Sequence, residues 1–176
     1  VRAVDAELLV AINDLRSPAL DAALGPLGEH GYLLYPAFLV ALLVMRRRAV
    51  ATTTRDGLLA FLLALFVTET FLKPLFARPR PTAIPELLAQ LDVLGSVPGA
   101  RSWSMPSGTA AACGAGAAWI WSRLGWRAGL PAAIIAVLAC FARLYAGVHW
   151  PTDLLFGATL GIFVALGVDR FSRWAG

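Results

Sequence analysis

The chain has 176 residues, 59% of them hydrophobic and 15% charged, with a mean hydropathy of +0.70. That composition excludes an ordinary soluble domain, and it excludes disorder, because Leu, Ala, Val and Phe supply ample apolar surface to bury. The 15 Lys and Arg against 11 Asp and Glu give +4, but these cations flank apolar stretches of membrane-spanning length, so the solvent they imply is a bilayer and no nucleic-acid partner is expected. Cys113 and Cys140 lie inside apolar runs and His30 and His149 stand far apart, so neither a disulfide framework nor a metal centre is expected.

Taken from the start, Val4 to Leu15 sets Val4, Leu8, Leu9, Ala11 and Ile12 against Asp5, Glu7, Asn13 and Asp14. This stripe predicts an amphipathic helix lying in the membrane interface. The segment lacks a basic start, a continuous apolar core and a small-residue cleavage site, so insertion is expected through the chain's own helices. A second short helix is expected over Pro18 to Leu27. Apolar runs then cover Gly31 to Met45, Gly57 to Phe76, Pro106 to Trp121, Ala128 to Val148 and Pro151 to Val168. The fold class expected is an all-α integral membrane bundle of about five transmembrane helices, with the first and third borrowing flanking residues to reach the roughly 20 that a bilayer requires. The domain reading is an interfacial segment over 1–30 and a single bundle over 31–176, with an outer loop at 77–105. Thr82 to Ser102 is too polar to span, and a short interfacial helix is expected around Glu86 to Leu94.

Arginine asymmetry gives the orientation. Arg46, Arg47, Arg48, Arg55, Arg123, Arg127, Arg170 and Arg173 all fall on one side of the five spans, opposed there only by Asp56 and Asp169. That side is expected to be cytoplasmic and to carry the C-terminus. Trp119, Trp121, Trp126 and Trp174 mark the inner boundary; Tyr32, Tyr35, Trp103, Tyr145 and Trp150 mark the outer one. On the outer side Lys73, Arg78, Arg80, Arg101 and Arg143 gather at the ends of the second, third and fourth spans. Snorkelling accounts for one or two such cations. Arg143, placed by this count several residues inside the fourth span, calls for an anionic partner.

Three stretches converge on that face: Lys73-Pro-Leu-Phe-Ala-Arg-Pro-Arg80-Pro81, Met105-Pro106-Ser107-Gly108-Thr109, and Arg143-Leu-Tyr-Ala-Gly-Val-His149-Trp-Pro-Thr-Asp153. Lys73, Arg80 and Arg143 supply cationic donors suited to phosphate. Ser107 and Gly108 open a helix whose first N–H groups form an anion cradle. His149 lies in the turn between two spans, with Asp153 four residues on to accept from one ring nitrogen. The other nitrogen is then free to attack phosphorus.

In this order and on successive helices, Lys-x6-Arg-Pro, Pro-Ser-Gly-x and Arg-x5-His-x3-Asp resemble the three signatures of the type 2 phosphatidic acid phosphatase family, membrane lipid phosphatases related to vanadium haloperoxidases. The short amphipathic start and five spans resemble its small bacterial members. The resemblance implies metal-independent and cofactor-independent hydrolysis of a lipid phosphate or pyrophosphate through a phosphohistidine. It implies His149 as nucleophile, Asp153 as its partner, and Lys73, Arg80, Ser107, Gly108 and Arg143 as phosphate ligands. It further implies the inner membrane of a bacterium, with the site facing the periplasm or exterior. The favoured substrate is polyprenyl pyrophosphate, followed by phosphatidylglycerol phosphate and phosphatidic acid.

The sequence departs from the pattern at Thr109, where the family has the histidine that looks like its general acid. A threonine hydroxyl is no acid near neutral pH, and losing such a group typically costs about 10²- to 10⁴-fold. Three readings stand: a disabling replacement introduced by design, which is favoured; a natural change suited to pyrophosphates, whose leaving group is a stabilised anion; or a non-catalytic lipid-phosphate binder. The alternative to an enzyme is accordingly such a binder or a lipid transporter. His30 is a weak candidate for the missing acid and is better read as an interfacial histidine. Glu69, one helical turn before Lys73, either positions that lysine or serves helix packing. Gly and Ala from Gly108 through Ala118 read as a close helix-packing surface.

Overall fold

A computed structural model describes residues 2–45, 51–95 and 102–175. Arg46, Arg47, Arg48 and Arg101 lie outside the described residues. Helices α1 (Arg2–Asn13), α2 (Pro18–His30), α3 (Leu34–Met45) and α4 (Ala51–Phe66) open the chain. A π-helical turn, Val67–Leu72, runs from α4 into the short α5 (Lys73–Phe76). The four-residue α6 (Pro85–Leu88) precedes α7 (Gly108–Leu124), α8 (Trp126–Tyr145) and α9 (Pro151–Ala175). The described residues thus form an all-α bundle, as expected from the apolar runs.

Among the described residues three segments are long and apolar enough to cross a membrane: Thr54–Ala83, Trp126–Tyr145 and Pro151–Ala175. Helix α7 has 17 residues and is buried along most of its length, from Gly108 to Ile120. It packs against α4, α8 and α9, so protein encloses it far more than it encloses the three candidate spans. Its small residues permit this. A Cβ on Gly161 of α9 would strike the Ala111 carbonyl of α7, and one on Gly114 would fall 2.5 Å from the Ala158 carbonyl. The Gly/Ala run is therefore a close packing surface, because only bare backbone lets these two helices approach so nearly.

The N-terminal helix forms, but its inward face is not its apolar one. Asp5, Leu9 and Asn13, spaced by four, are buried, whereas Val4 is 65% and Leu8 46% exposed. The polar residues turn inward because partners await them. Asn13 Nδ2 donates to the carbonyls of Tyr145 (2.8 Å) and Asp92 (3.1 Å), and Asn13 Oδ1 accepts from the Asp92 N–H (2.8 Å). Leu9 joins Leu87, Leu91 and Trp150 in a small core above the bundle. Helix α2 runs three residues past its expected end to His30 and is capped by Ser17. The helix expected around Glu86 to Leu94 is reduced to α6, which begins at Pro85 and stops at Leu88; turn bonds carry the chain to Leu91, and from there the Asp92 and Leu94 N–H groups donate to Asn13 and Ala146 instead of continuing a helix.

The two ends of the bundle differ in chemistry. Arg123 and Arg173 pair with Asp169, and Arg55 pairs with Asp56, at one end. Lys73, Arg80, Ser107, Arg143, His149 and Asp153 all come from helix ends and turns at the other.

Candidate phosphate site

Helix α8 ends at Tyr145, so Arg143 occupies its last turn rather than a position deep in the span. Gly147, with φ of +76°, turns the chain back, and Pro151 starts α9. His149 sits between them, 2% exposed. Asp153, fully buried, follows in the first turn of α9, and its Oδ2 accepts from the Trp150 N–H (3.0 Å), which closes the helix start.

His149 Nδ1 lies 3.4 Å from Asp153 Oδ2, while Nε2 lies 3.1 Å from Arg80 Nη1 and 3.5 Å from Ser107 Oγ. A guanidinium only donates, so Nε2 is the acceptor and the ring proton sits on Nδ1, toward the carboxylate. Burial lowers the imidazole pKa to about 3, against the raising effect of Asp153. The ring is therefore neutral at physiological pH, with its Nε2 lone pair directed at the cationic cluster. This is the form a nucleophile requires.

The cations around it are fixed from several sides. Arg80 donates through Nη1 to the Val148 carbonyl (2.9 Å) and through Nε to Ser102 Oγ (3.0 Å). Ser107 is the N-cap of α7: its Oγ accepts from Ala110 N–H, and its own N–H donates to the Asp153 carbonyl (3.1 Å). The helix start is thus tied to the His149 turn. Arg143 reaches the Gly28 carbonyl at 3.4 Å, and its Nε is buried without a hydrogen-bond partner among the described residues. An unpaired buried guanidinium N–H is costly and points to a ligand that would accept from it. Arg143 also lines a cavity of about 290 Å³ together with Gly28, Glu29 and His30.

Lys73 and Glu69 form a pair at 2.6 and 2.7 Å. The π turn carries Glu69 over the start of α7, where a Cβ on Gly108 would collide with Glu69 Oε1. A carboxylate thus rests on the helix terminus read from sequence as an anion cradle. Thr109, partly exposed, follows Gly108. His30 is largely exposed, faces Glu29 at 3.8 Å, and makes no hydrogen bond to the other candidate residues.

Two residues belong to this site that sequence reasoning set aside. Arg78 donates from Nη1 to Asp153 Oδ1 (2.8 Å) and to Thr152 Oγ1 (2.6 Å), and from Nη2 to Asp5 Oδ2 (2.6 Å), with its guanidinium 5.0 Å from the centre of the Trp150 ring. Asp5 in turn accepts from the Thr152 N–H (3.2 Å) and Thr152 Oγ1 (2.6 Å). Burial works against its ionisation, but the bonds from Thr152 and Arg78 prevail and hold the carboxyl below the ordinary carboxylate range. The four-residue spacing of Asp5, Leu9 and Asn13 was the one local sign that an acid of the first helix faces inward.

Comparison with known proteins agrees with this architecture. The family model described as PAP2 superfamily matches residues 56–176. An undecaprenyl-diphosphatase of Sulfolobus acidocaldarius is 27% identical over 169 residues, covering 90% of this chain and 74% of that protein. The crystal structure of Aquifex aeolicus LpxE superposes with a TM-score of 0.73 at 28% identity, covering 93% of both chains. That of a PAP2-type phosphatidylglycerolphosphate phosphatase from Bacillus subtilis superposes with a TM-score of 0.76 at 22% identity over 99% of this chain and 87% of that one, a likeness of fold. Lys73, Arg80, Ser107, His149 and Asp153 all fall within the matched residues, and the chain belongs to the PAP2 superfamily of membrane phosphatases.

Proposed function

We propose that this protein is a lipid phosphatase that releases inorganic phosphate from a membrane-anchored pyrophosphate or phosphomonoester, with His149 as the nucleophile. The observation that carries this reading is the buried His149 Nε2 set 3.1 Å from Arg80 Nη1 and 3.5 Å from Ser107 Oγ, with Arg143 Nε buried and without a hydrogen-bond partner among the described residues. His149 Nε2 attacks phosphorus in line with the leaving oxygen to give a phosphohistidine. Asp153 accepts the Nδ1 proton's hydrogen bond and stabilises the positive charge that develops on the ring. Arg80, Arg143, Lys73 and the first N–H groups of α7 take the equatorial oxygens. Water then attacks the phosphorus of the phosphohistidine, the phosphorus–nitrogen bond breaks with its electron pair returning to Nε2, and inorganic phosphate leaves with the oxygen of that water. No metal or cofactor takes part in these steps.

Polyprenyl pyrophosphate is the favoured substrate, because its leaving group is itself a phosphate anion and asks little of Thr109. The relation to a diphosphatase supports the same choice. Phosphatidylglycerol phosphate and phosphatidic acid follow. The arginine asymmetry supports a site on the outer face of a bacterial inner membrane, with the C-terminus in the cytoplasm. Thr109 favours one competing reading, a protein that binds lipid phosphate without turnover.

The test is phosphate release by purified protein from polyprenyl pyrophosphate, phosphatidylglycerol phosphate and phosphatidic acid, all in EDTA. Turnover of the pyrophosphate unaffected by the chelator is the expected result. Saturable binding with no phosphate released would favour the binder, and activity dependent on added divalent metal would contradict the mechanism.

A further inference from the structure

Every phosphomonoester the site cleaves needs a proton for the departing alkoxide, and few groups around His149 can give one near neutral pH. Arg80, Arg143 and Lys73 are cations whose ordinary pKa values lie far too high. Ser107 and Thr109 carry hydroxyls. Asp153 is fully buried and already held by Arg78, His149 and the Trp150 N–H. Glu29 is turned toward Gly95 and His30. Glu69 differs from all of these. Its side chain is 49% exposed, it contacts the α7 terminus at Gly108, next to Thr109, and its only hydrogen-bond partner among the described residues is Lys73. The π turn over Val67–Leu72 interrupts an otherwise regular helix at this residue; such turns are frequent where a helix presents a functional side chain.

We propose that Glu69 is the proton donor to the leaving group, a catalytic residue in the place where Thr109 offers none. This inference rests on the phosphatase reading above. With the site empty, the Glu69 carboxylate occupies the helix terminus and holds Lys73. An arriving phosphate monoanion takes over both partners and passes its proton to the freed Glu69 carboxylate. As His149 Nε2 forms its bond to phosphorus, the phosphorus–oxygen bond breaks with its electron pair on the leaving oxygen, and the Glu69 proton passes to that oxygen. In the second step the Glu69 carboxylate takes a proton from the attacking water. The phosphorus–nitrogen bond breaks with its pair returning to Nε2, phosphate departs, and Glu69 is again protonated. The consequence is a substrate range that includes esters with alkoxide leaving groups as well as pyrophosphates.

A residue that merely positions Lys73 would, on removal, slow all substrates alike; a proton donor matters in proportion to the basicity of the leaving oxygen. The experiment measures kcat/KM for polyprenyl pyrophosphate and phosphatidic acid with the unaltered protein, Glu69→Gln, Thr109→His and the double variant. Glu69→Gln is expected to lower phosphatidic acid hydrolysis by about 10²- to 10⁴-fold while lowering pyrophosphate hydrolysis by less than about 10-fold, and Thr109→His is expected to restore phosphatidic acid turnover in the Glu69→Gln background. Equal losses on both substrates, or an unaltered protein that cleaves the pyrophosphate but no monoester, would overturn the role of Glu69 and leave the phosphatase reading standing. An unaltered protein inactive on both would instead overturn the phosphatase reading itself.

Discussion

Arg78 and Asp153 form a 2.8 Å ion pair between residues 75 apart in sequence, and the other arm of the same guanidinium holds Asp5 of the first helix at 2.6 Å. The carboxylate that orients His149 is thereby oriented itself, from the side away from the imidazole. An N-terminal helix without a residue of the sequence motifs thus supports the site through Arg78 and through the direct bonds of Asp5 to Thr152.

Replacing Arg78 by Met leaves two buried carboxylates without their cation. Breaking such a buried pair costs about 3–5 kcal/mol, so a marked fall in thermal unfolding temperature is expected. Turnover should fall as well, because Asp153 loses the contact that sets its rotamer. Asp5→Asn is expected to cost less on its own, and the double variant to cost less than the two separate losses combined, since both remove one network. Additive losses in unfolding measurements would show that Asp5 and Arg78 act independently.

His149 gives the protein a definite pH dependence of stability. Its pKa is lowered from 6.5 to about 3 in the fold, chiefly by burial. As pH falls below 6.5 the unfolded chain takes up a proton that the folded chain does not, so stability declines progressively toward about pH 3. Asp5 acts in the same direction but only below the ordinary carboxylate range, near 3.9. Between roughly pH 6.5 and 4.5 the decline should therefore be shallower in His149→Gln than in the unaltered protein. Parallel unfolding curves across that window would contradict a buried neutral imidazole.

The α7–α9 contact yields a test of packing with its own control. Gly161→Ala drives a methyl group into the Ala111 carbonyl, whereas a Cβ at Gly167 on the same helix meets nothing within 4 Å. Overpacking of this kind typically costs about 1–3 kcal/mol. Gly161→Ala is expected to lower the unfolding temperature, and Gly167→Ala to leave it unchanged or raise it. Similar behaviour of the two variants would show that the helices do not approach as closely as described.

Much of the site was legible from residue types at fixed spacing. The three motif stretches predicted that Arg80, Ser107, His149 and Asp153 would converge, and they do, because each is placed by a helix end or turn that its own Pro and Gly residues specify. The Glu69–Lys73 pair was legible from a four-residue interval, but the π turn that lays Glu69 over Gly108 has no local signature. Arg78 was read only as one of the outer cations, and its pairing with Asp5 was missed for a related reason: the partners lie 73 to 147 residues away, and no periodic pattern records such a pairing. The first helix is the amphipathic one its stripe predicts, with Val4 and Leu8 facing outward; what the stripe did not record is that Asp5 and Asn13 turn toward polar partners inside. The short α6 was over-extended because its downstream chain is held by tertiary bonds that favour no helix.

The most direct test of the central claim is to look for phosphate on His149. The protein is mixed briefly with polyprenyl pyrophosphate labelled at its terminal phosphate, quenched in alkaline denaturant and separated by electrophoresis. Label bound to the protein in an acid-labile, alkali-stable form, and absent from His149→Ala along with phosphate release, is the predicted result. Undiminished phosphate release by His149→Ala would contradict the account.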